Sequence, residues 1–279
     1  MIFSSETVSM FPDKVDKVVL DGVQNPHEYY NAYADFEEWT QSDEVFSGIF
    51  KGCAANPEVC PLARDNATAE ELEESVWDLF DKVRTHPIPV GNWLIDETVL
   101  HNMVAQSFYS ASAWPNLTTA LYMLLSGEID EQSIIDFSGV ESLEAQGTLS
   151  MSTIGIHCLD RAARAKTWDE FLPAAHLIMN TSKAMGGAAM SLSMACAQWD
   201  IDPTERYQGD FQVRTKNPIL VMGNSYDAHT PIRSAHNVSS GLEGSVVLEV
   251  DGYRLTGVIN PSACTFRGSF KLLVEWYPT

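Results

Sequence analysis

The stretch Asn217–Pro231, NPILVMGNSYDAHTP, limits what this chain can fold into more than any other. Its apolar run, Ile219 to Met222, does not alternate with polar residues, so it reads as a strand buried on both faces, the habit of a parallel sheet covered by helices. The run breaks at Gly223-Asn224 into a polar loop that carries Asp227. In open α/β sheets the working residues sit just past the carboxyl ends of strands, which makes Asp227 a site candidate. A loop-capping aspartate that accepts hydrogen bonds from its own backbone is the other role open to this position.

Strand signals recur on either side of a long helical region. Residues 4 to 11 read as the tail of a helix ended by Pro12-Asp13. Val15 to Val23, VDKVVLDGV, then reads as a buried strand stopped by Gly22, with Asp21 at its exit. From His27 to about Asp202 the pattern is helical. Tyr29 to Phe50 carries aromatic residues at helical spacing, read as core or lid packing. Leu72, Val76, Leu79, Phe80 and Val83 share one face of a helix over Glu70 to Val83, with Asn66 and Thr68 as caps. Further helices are predicted at Asp96–Ser112, Leu117–Ser126, Trp168–Ile178 and Gly187–Gln198. After Asp202 come a strand at 218–223, a helix around Ile232 to Leu242 and a strand at Ser245–Val250, closed by the turn Asp251-Gly252-Tyr253. An insertion of this length inside a sheet implies a cap over a site. The division is a first core part at 1–26, a helical cap at 27–204 and a C-terminal core part at 205–279.

Charge narrows the partners. The 17 basic and 38 acidic residues leave a net charge of −21, which repels phosphate backbones and anionic lipid and so disfavours nucleic acid and membrane surfaces. No run approaches the roughly 20 apolar residues of a membrane span, and MIFSSETVSMFP lacks the regions of a signal peptide. Yet four glycosylation sequons occur, at Asn66, Asn116, Asn180 and Asn237, which suits a secretory route. Cys53 and Cys60 bracket AANPEV, whose Asn-Pro turn can bring them within bridging distance, two free thiols being the alternative. Whether Cys158 and Cys196 pair is open from spacing alone. No H-x-x-x-H pair or comparable ligand cluster supports a metal, and no cofactor is expected.

The order helix, strand, helical cap, strand with Asp, strand, turn is that of the second half of an α/β-hydrolase: a partial fold, with the C-terminal strands of a parallel sheet and a large helical cap insertion. In that fold a serine on a G-x-S-x-G elbow is activated by a histidine, which an acid holds in the right tautomer. The segments MFPDKVDKVVLDGV, GCAANPEVCPLA, IHCLDRAARAKTWDEF, CAQWDIDPTERYQGDF, NPILVMGNSYDAHTP and VDGYRLTGVINPSACT resemble the secreted tripeptidyl aminopeptidase-like α/β-hydrolases, relatives of prolyl aminopeptidase, from about Phe11 to about Cys264. The resemblance implies a serine exopeptidase that takes short peptides from free N-termini, a short peptide as substrate or ligand, and a secreted location.

Carried over residue by residue, Asp227 matches the family's triad acid. The other two members have no match. No G-x-S-x-G occurs, and the resemblance puts the elbow serine just upstream of Met1. The family's D-G-Y-G-H turn is here Asp251-Gly252-Tyr253-Arg254-Leu255, so Leu255 stands where the base would be. His229, two residues past Asp227, and His236, in the following helix, are not at the end of the last strand, where a base would face the elbow. His157 beside Cys158 gains no catalytic geometry from adjacency. The resemblance also pairs Cys264 with a cysteine near the family's C-terminus, where this chain diverges after Thr265. Three readings follow: a chain of serine exopeptidase lineage that is inactive as written, a non-catalytic peptide-binding protein with an acidic cap, and part of a longer active enzyme. Without the preceding strands, the strand at 15–23 exposes an apolar edge open to self-association.

Overall fold

In the computed structural model the run at Ile219–Met222 lies in the middle strand of a parallel sheet. The structure describes residues 2–63, 66–138, 147–259 and 263–270. The chain opens with α1 (Ile2–Met10), enters the sheet as β1 (Val19–Asp21) and leaves it for α2 (Pro26–Asn31), α3 (Ser42–Ala55) and α4 (Ala69–Thr85). A hairpin, β2 (Ile88–Val90) and β3 (Trp93–Ile95), precedes α5 (Glu97–Ser107), α6 (Trp114–Ser126), α7 (Glu131–Ser138), α8 (Gly147–Asp160), α9 (Trp168–Thr181) and α10 (Gly186–Ala197). The return runs through β4 (Val213–Arg214), β5 (Leu220–Tyr226), α11 (Ile232–Gly241), β6 (Leu242–Glu243), β7 (Val246–Tyr253), α12 (Thr256–Ile259) and α13 (Ala263–Phe270).

The main sheet has the order β1-β5-β7, parallel throughout, with Val19 opposite Leu220 and Leu220 opposite Val246. Its two faces explain the unbroken apolar run. Ile219 and Val221 pack with Val8, Val15, Leu20, Val23, Ala235 and Val238, while Leu220 and Met222 pack on the other face with Val19 and Leu248. Both faces are dry, so neither offers a place for polar alternation. Among the described residues no strand pairs with the outer side of β1.

The segment between β1 and β5 has its own core. Leu72, Val76, Leu79, Phe80 and Val83 of α4 are all buried against Phe46, Ile49 and Phe50 of α3 and Leu100, Met103 and Val104 of α5. Thr68 and Glu71 start α4 as a reciprocal capping box: Glu71 N donates to Thr68 Oγ1 and Thr68 N to Glu71 Oε2. Two sequence readings are sharpened here. The helical spacing over Tyr29–Phe50 is divided between a short helix that Asn25 and Pro26 start, a turn at Glu37–Trp39 and α3. The helix expected over Asp96–Ser112 ends at Ser107. The hairpin at Ile88–Ile95 went unread; its signal was Gly91-Asn92 between apolar residues, and Gly91 adopts φ +56° at that turn.

The chain just past β1 is stapled to the end of α8. Arg161, 1% exposed, pairs with Asp35 and donates through Nε to the Tyr29 carbonyl and through Nη1 to the Tyr33 carbonyl. One guanidinium therefore bonds Oδ2 of a buried carboxylate, one carbonyl within α2 and one just after it, while Asp35 Oδ1 has no described hydrogen-bond partner. Close by, a Cys158–Cys196 disulfide joins α8 to α10, and a Cys53–Cys60 disulfide closes the turn after α3. Cys264 lies outside the described side chains. Replacing Arg161 with Leu strands the Asp35 charge and should cost about 3–5 kcal/mol of unfolding free energy in urea titration, whereas the Arg161→Leu/Asp35→Leu pair should recover most of it.

Candidate active site

Asp227 follows β5 and is 1% exposed. Its Oδ1 accepts from the backbone N–H groups of His229 (2.9 Å) and Thr230 (2.8 Å), and its Oδ2 accepts from Thr230 Oγ1 (2.7 Å) and the Thr256 N–H (3.3 Å). The loop-capping role is thus present, and it is not the whole arrangement. The Thr256 bond comes from the segment after β7, so the carboxylate also joins two strand ends. Thr256 itself holds φ +61°, a costly left-handed conformation for a β-branched residue, which marks this turn as over-determined by its surroundings.

Neighbouring contacts fix the same junction. Asn224, fully buried, donates through Nδ2 to the Arg254 carbonyl (3.1 Å) and accepts at Oδ1 from Arg254 Nε (3.0 Å). The Arg254 N–H reaches the Tyr226 carbonyl at 3.2 Å, and the Tyr226 and Tyr253 rings stack at 4.5 Å. Asp21, at the end of β1, accepts the Gly257 N–H with both carboxylate oxygens, at 2.8 and 2.9 Å. Leu255 therefore sits in the turn drawn against Asp227, directly before the residue whose amide bonds it. A leucine there offers no proton acceptor.

The helical insertion encloses the loop. Gln41 Nε2 donates to the Ser225 carbonyl (2.7 Å) and Ser42 Oγ to the Ala228 carbonyl (2.8 Å), both from the start of α3. His229 turns its ring away from Asp227 into Trp39 (5.4 Å), Tyr109 (4.6 Å) and Phe108 (6.2 Å), with Nε2 3.4 Å from the Ala105 carbonyl. Only its backbone reaches Asp227. His236 is exposed on α11. His157 is beside a disulfide and not a thiol, which removes the cysteine nucleophile from consideration. Gln41, Ser42, Thr230 and Thr256 were not legible as site residues; only the Thr-Pro after Asp227 gave a local signal.

Acidic side chains gather where the insertion leaves the sheet. Glu37, buried, accepts from Asn25 and Asn237 and lies 3.6 Å from Arg233 Nε. Glu28 accepts the Glu37 N–H at 2.7 Å. Desolvation raises the Glu28 pKa. Desolvation, with the Asp35 charge beside it, holds Glu38 well above the usual carboxylate range. Among the described residues, no group of three His, Cys, Asp or Glu is placed to hold a metal ion, and no helix is long and apolar enough to cross a membrane. The four sequon asparagines are all exposed, although Asn237 spends its amide on Glu37.

Burial pushes the pKa of His229 and of His157 down, Asp227 opposing the shift in the first case and Asp35 in the second. Burial thus disfavours the charged form of both rings in the fold. A depressed folded pKa gives stability that is present above the unfolded value, about 6.5, and lost as pH falls through the folded one. The contribution of these two rings to unfolding free energy should therefore fall as pH drops below about 6.5, and the pH dependence of His229→Gln minus that of the unsubstituted chain in chemical denaturation should show that part removed. Asp227→Ala leaves four donors without their acceptor and should cost at least about 2 kcal/mol in the same measurement at pH 7.

The TAP-like protein family model matches residues 182–269, which carry α10, β5, β7 and the Asp227 loop. The tripeptidyl aminopeptidases of Streptomyces lividans and Streptomyces coelicolor are each 24% identical to this chain over 275 residues, an alignment covering 91% of it and 47% of each of them. The chain spans about half the length of the curated relatives it matches.

Proposed function

We propose, on the premise that this is a TAP-like α/β-hydrolase chain, that it supplies the acid and the cap of a serine exopeptidase site for short peptides with free N-termini. The observation that carries the reading is the buried Asp227 carboxylate at the end of β5, bonded to the turn after β7. An acid so placed can hold the Nδ1–H of a histidine entering from that turn, keep its tautomer and stabilise its charged form. The 279 residues themselves contain no G-x-S-x-G elbow and put Leu255 where that histidine would stand. The covalent route is then closed to these residues alone, and what remains over uncatalysed hydrolysis is what binding supplies. A secretory location belongs to the same reading, supported by two disulfides and four exposed sequons.

A second reading, non-catalytic binding of peptide amines, is favoured by the acids at the junction. Glu38, held above its ordinary pKa, neighbours Tyr109 at the mouth of the acid loop. A peptide ammonium would add a full positive charge beside the Gln24 hydrogen bond and the Arg161 charge that already act on this carboxylate.

Incubating the 279-residue chain with a chromogenic tripeptidyl anilide tests both readings. No anilide release above the buffer blank is expected, nor from Leu255→His alone, since a base without a nucleophile performs no acyl transfer. Release by the unmodified chain would overturn the assignment of roles. Calorimetry with the same tripeptide, free or N-acetylated, reports on the second reading, for which binding should require the free amine and weaken at least tenfold in Glu38→Gln. The intact deglycosylated mass of the native protein, compared with 30.9 kDa, shows whether further residues accompany this chain and complete the site.

A further inference from the structure

A cavity of about 530 Å³ lies wholly within the helical insertion, between α4, α5, the end of α9 and the start of α10. Its lining includes no residue of the Asp227 loop. The floor is aromatic, Trp77 and Phe80, with Met179 at the rim. Although the chain carries a net charge of −21, this wall holds two acids, Asp81 and Glu97, and two bases, Arg84 and Lys183. A locally neutral wall with separated charges fits a ligand that is itself neutral and bipolar.

The charges are arranged at two ends. Lys183 lies flat over Trp77, its Nζ 3.8 Å from the ring centroid, and among the described residues no carboxylate comes within ion-pair distance of it. The Asp43 carboxylate holds this lysine's own N–H (2.9 Å) and that of Ala184 (2.9 Å), so its backbone is fixed in front of α10. Two ring contacts separate its Nζ from the His101 end, Trp77 on Phe80 at 5.2 Å and Phe80 on His101 at 4.8 Å. The lysine end suits a carboxylate.

At the other end His101, 9% exposed, has Nδ1 at 2.6 Å from the Ala184 carbonyl, so Nδ1 is the donor there and Nε2 of the neutral ring is an acceptor. No described hydrogen bond reaches Nε2. It faces Glu97 Oε1 across 3.8 Å, while Oε2 of that carboxylate is taken by Arg84. The gap is too long for a direct bond, but a donor with arms of about 2.9 Å reaches both atoms. An ammonium has the three hydrogens to do so.

We infer that this cavity is a binding site for a short apolar peptide or amino acid with both termini free. Its carboxylate lies against Lys183, its ammonium lies between His101 Nε2 and Glu97, and its side chains rest on Trp77 and Phe80. The site goes beyond the proposed exopeptidase role and does not depend on it.

Titration of the 279-residue chain with the dipeptide Leu-Leu tests the assignment, read by calorimetry and by tryptophan fluorescence. One-to-one binding is expected, with N-acetyl-Leu-Leu and Leu-Leu-amide each at least tenfold weaker. Lys183→Met, which keeps the stem over Trp77, and Ser191→Trp, which fills the cavity from its exposed rim, should each weaken Leu-Leu at least tenfold. Trp77→Phe should remove the fluorescence change. Circular dichroism establishes that each variant is folded, and both Lys183 and Ser191 are surface positions. Absence of binding overturns the inference, as does equal binding of the blocked dipeptides. Binding that Ser191→Trp leaves intact would place the peptide elsewhere, including the Asp227 cleft, and overturns it too.

Discussion

A buried carboxylate with no cation beside it has to be compensated by donors, and Asp227 takes four of them. Two backbone amides and a hydroxyl come from its own loop, and one amide comes from the segment that follows the last strand. Asp21, at the end of the neighbouring strand, takes the next amide of that segment. The two carboxylates therefore draw one turn across the carboxyl edge of the sheet. Asn224 and Arg254 fix the turn from below, and Gln41 and Ser42 hold the loop from the side of the insertion. Removing the Asp227 acceptor would loosen all of these together, because each depends on the loop staying where the carboxylate puts it.

That dependence separates structure from chemistry in this site. The acid is held as firmly as a triad acid needs to be, yet every contact described is one that a purely structural aspartate would also make. What turns it into catalytic equipment is a partner of the right type across the junction, and Leu255 is not one. His229, the nearest histidine in sequence, is faced into aromatic rings, where burial disfavours its charged form. At the junction Arg161 is bonded to Asp35, and the exposed Arg233 lies 3.6 Å from Glu37.

Much of this was legible in the residues. The strand before Asp227, the helical face of Leu72 to Val83 and, shortened from Val15–Val23 to Val19–Asp21, the first strand were read because burial on two faces, or on one stripe, leaves a periodic trace. The Gly91-Asn92 hairpin did not, since three-residue strands leave almost no period. The Cys158–Cys196 bridge did not either: 38 residues separate the two sulfurs, and only the packing of α8 on α10 brings them together. The cavity under Trp77 was similarly invisible, because its walls come from three separated segments.

The sequence by itself determined that this is an α/β chain with a helical insertion, that Asp227 closes a buried strand, and that neither an elbow serine nor a histidine at position 255 is present. These are statements about composition and local order, which the covalent chain carries without folding. Only the tertiary structure decided that Asp227 is bonded from across the sheet, that His229 looks away from it, and that Lys183 and His101 face one cavity from opposite ends. Each is a matter of direction and distance between residues far apart in the chain, and those are set by packing, which ordering along the chain does not encode locally.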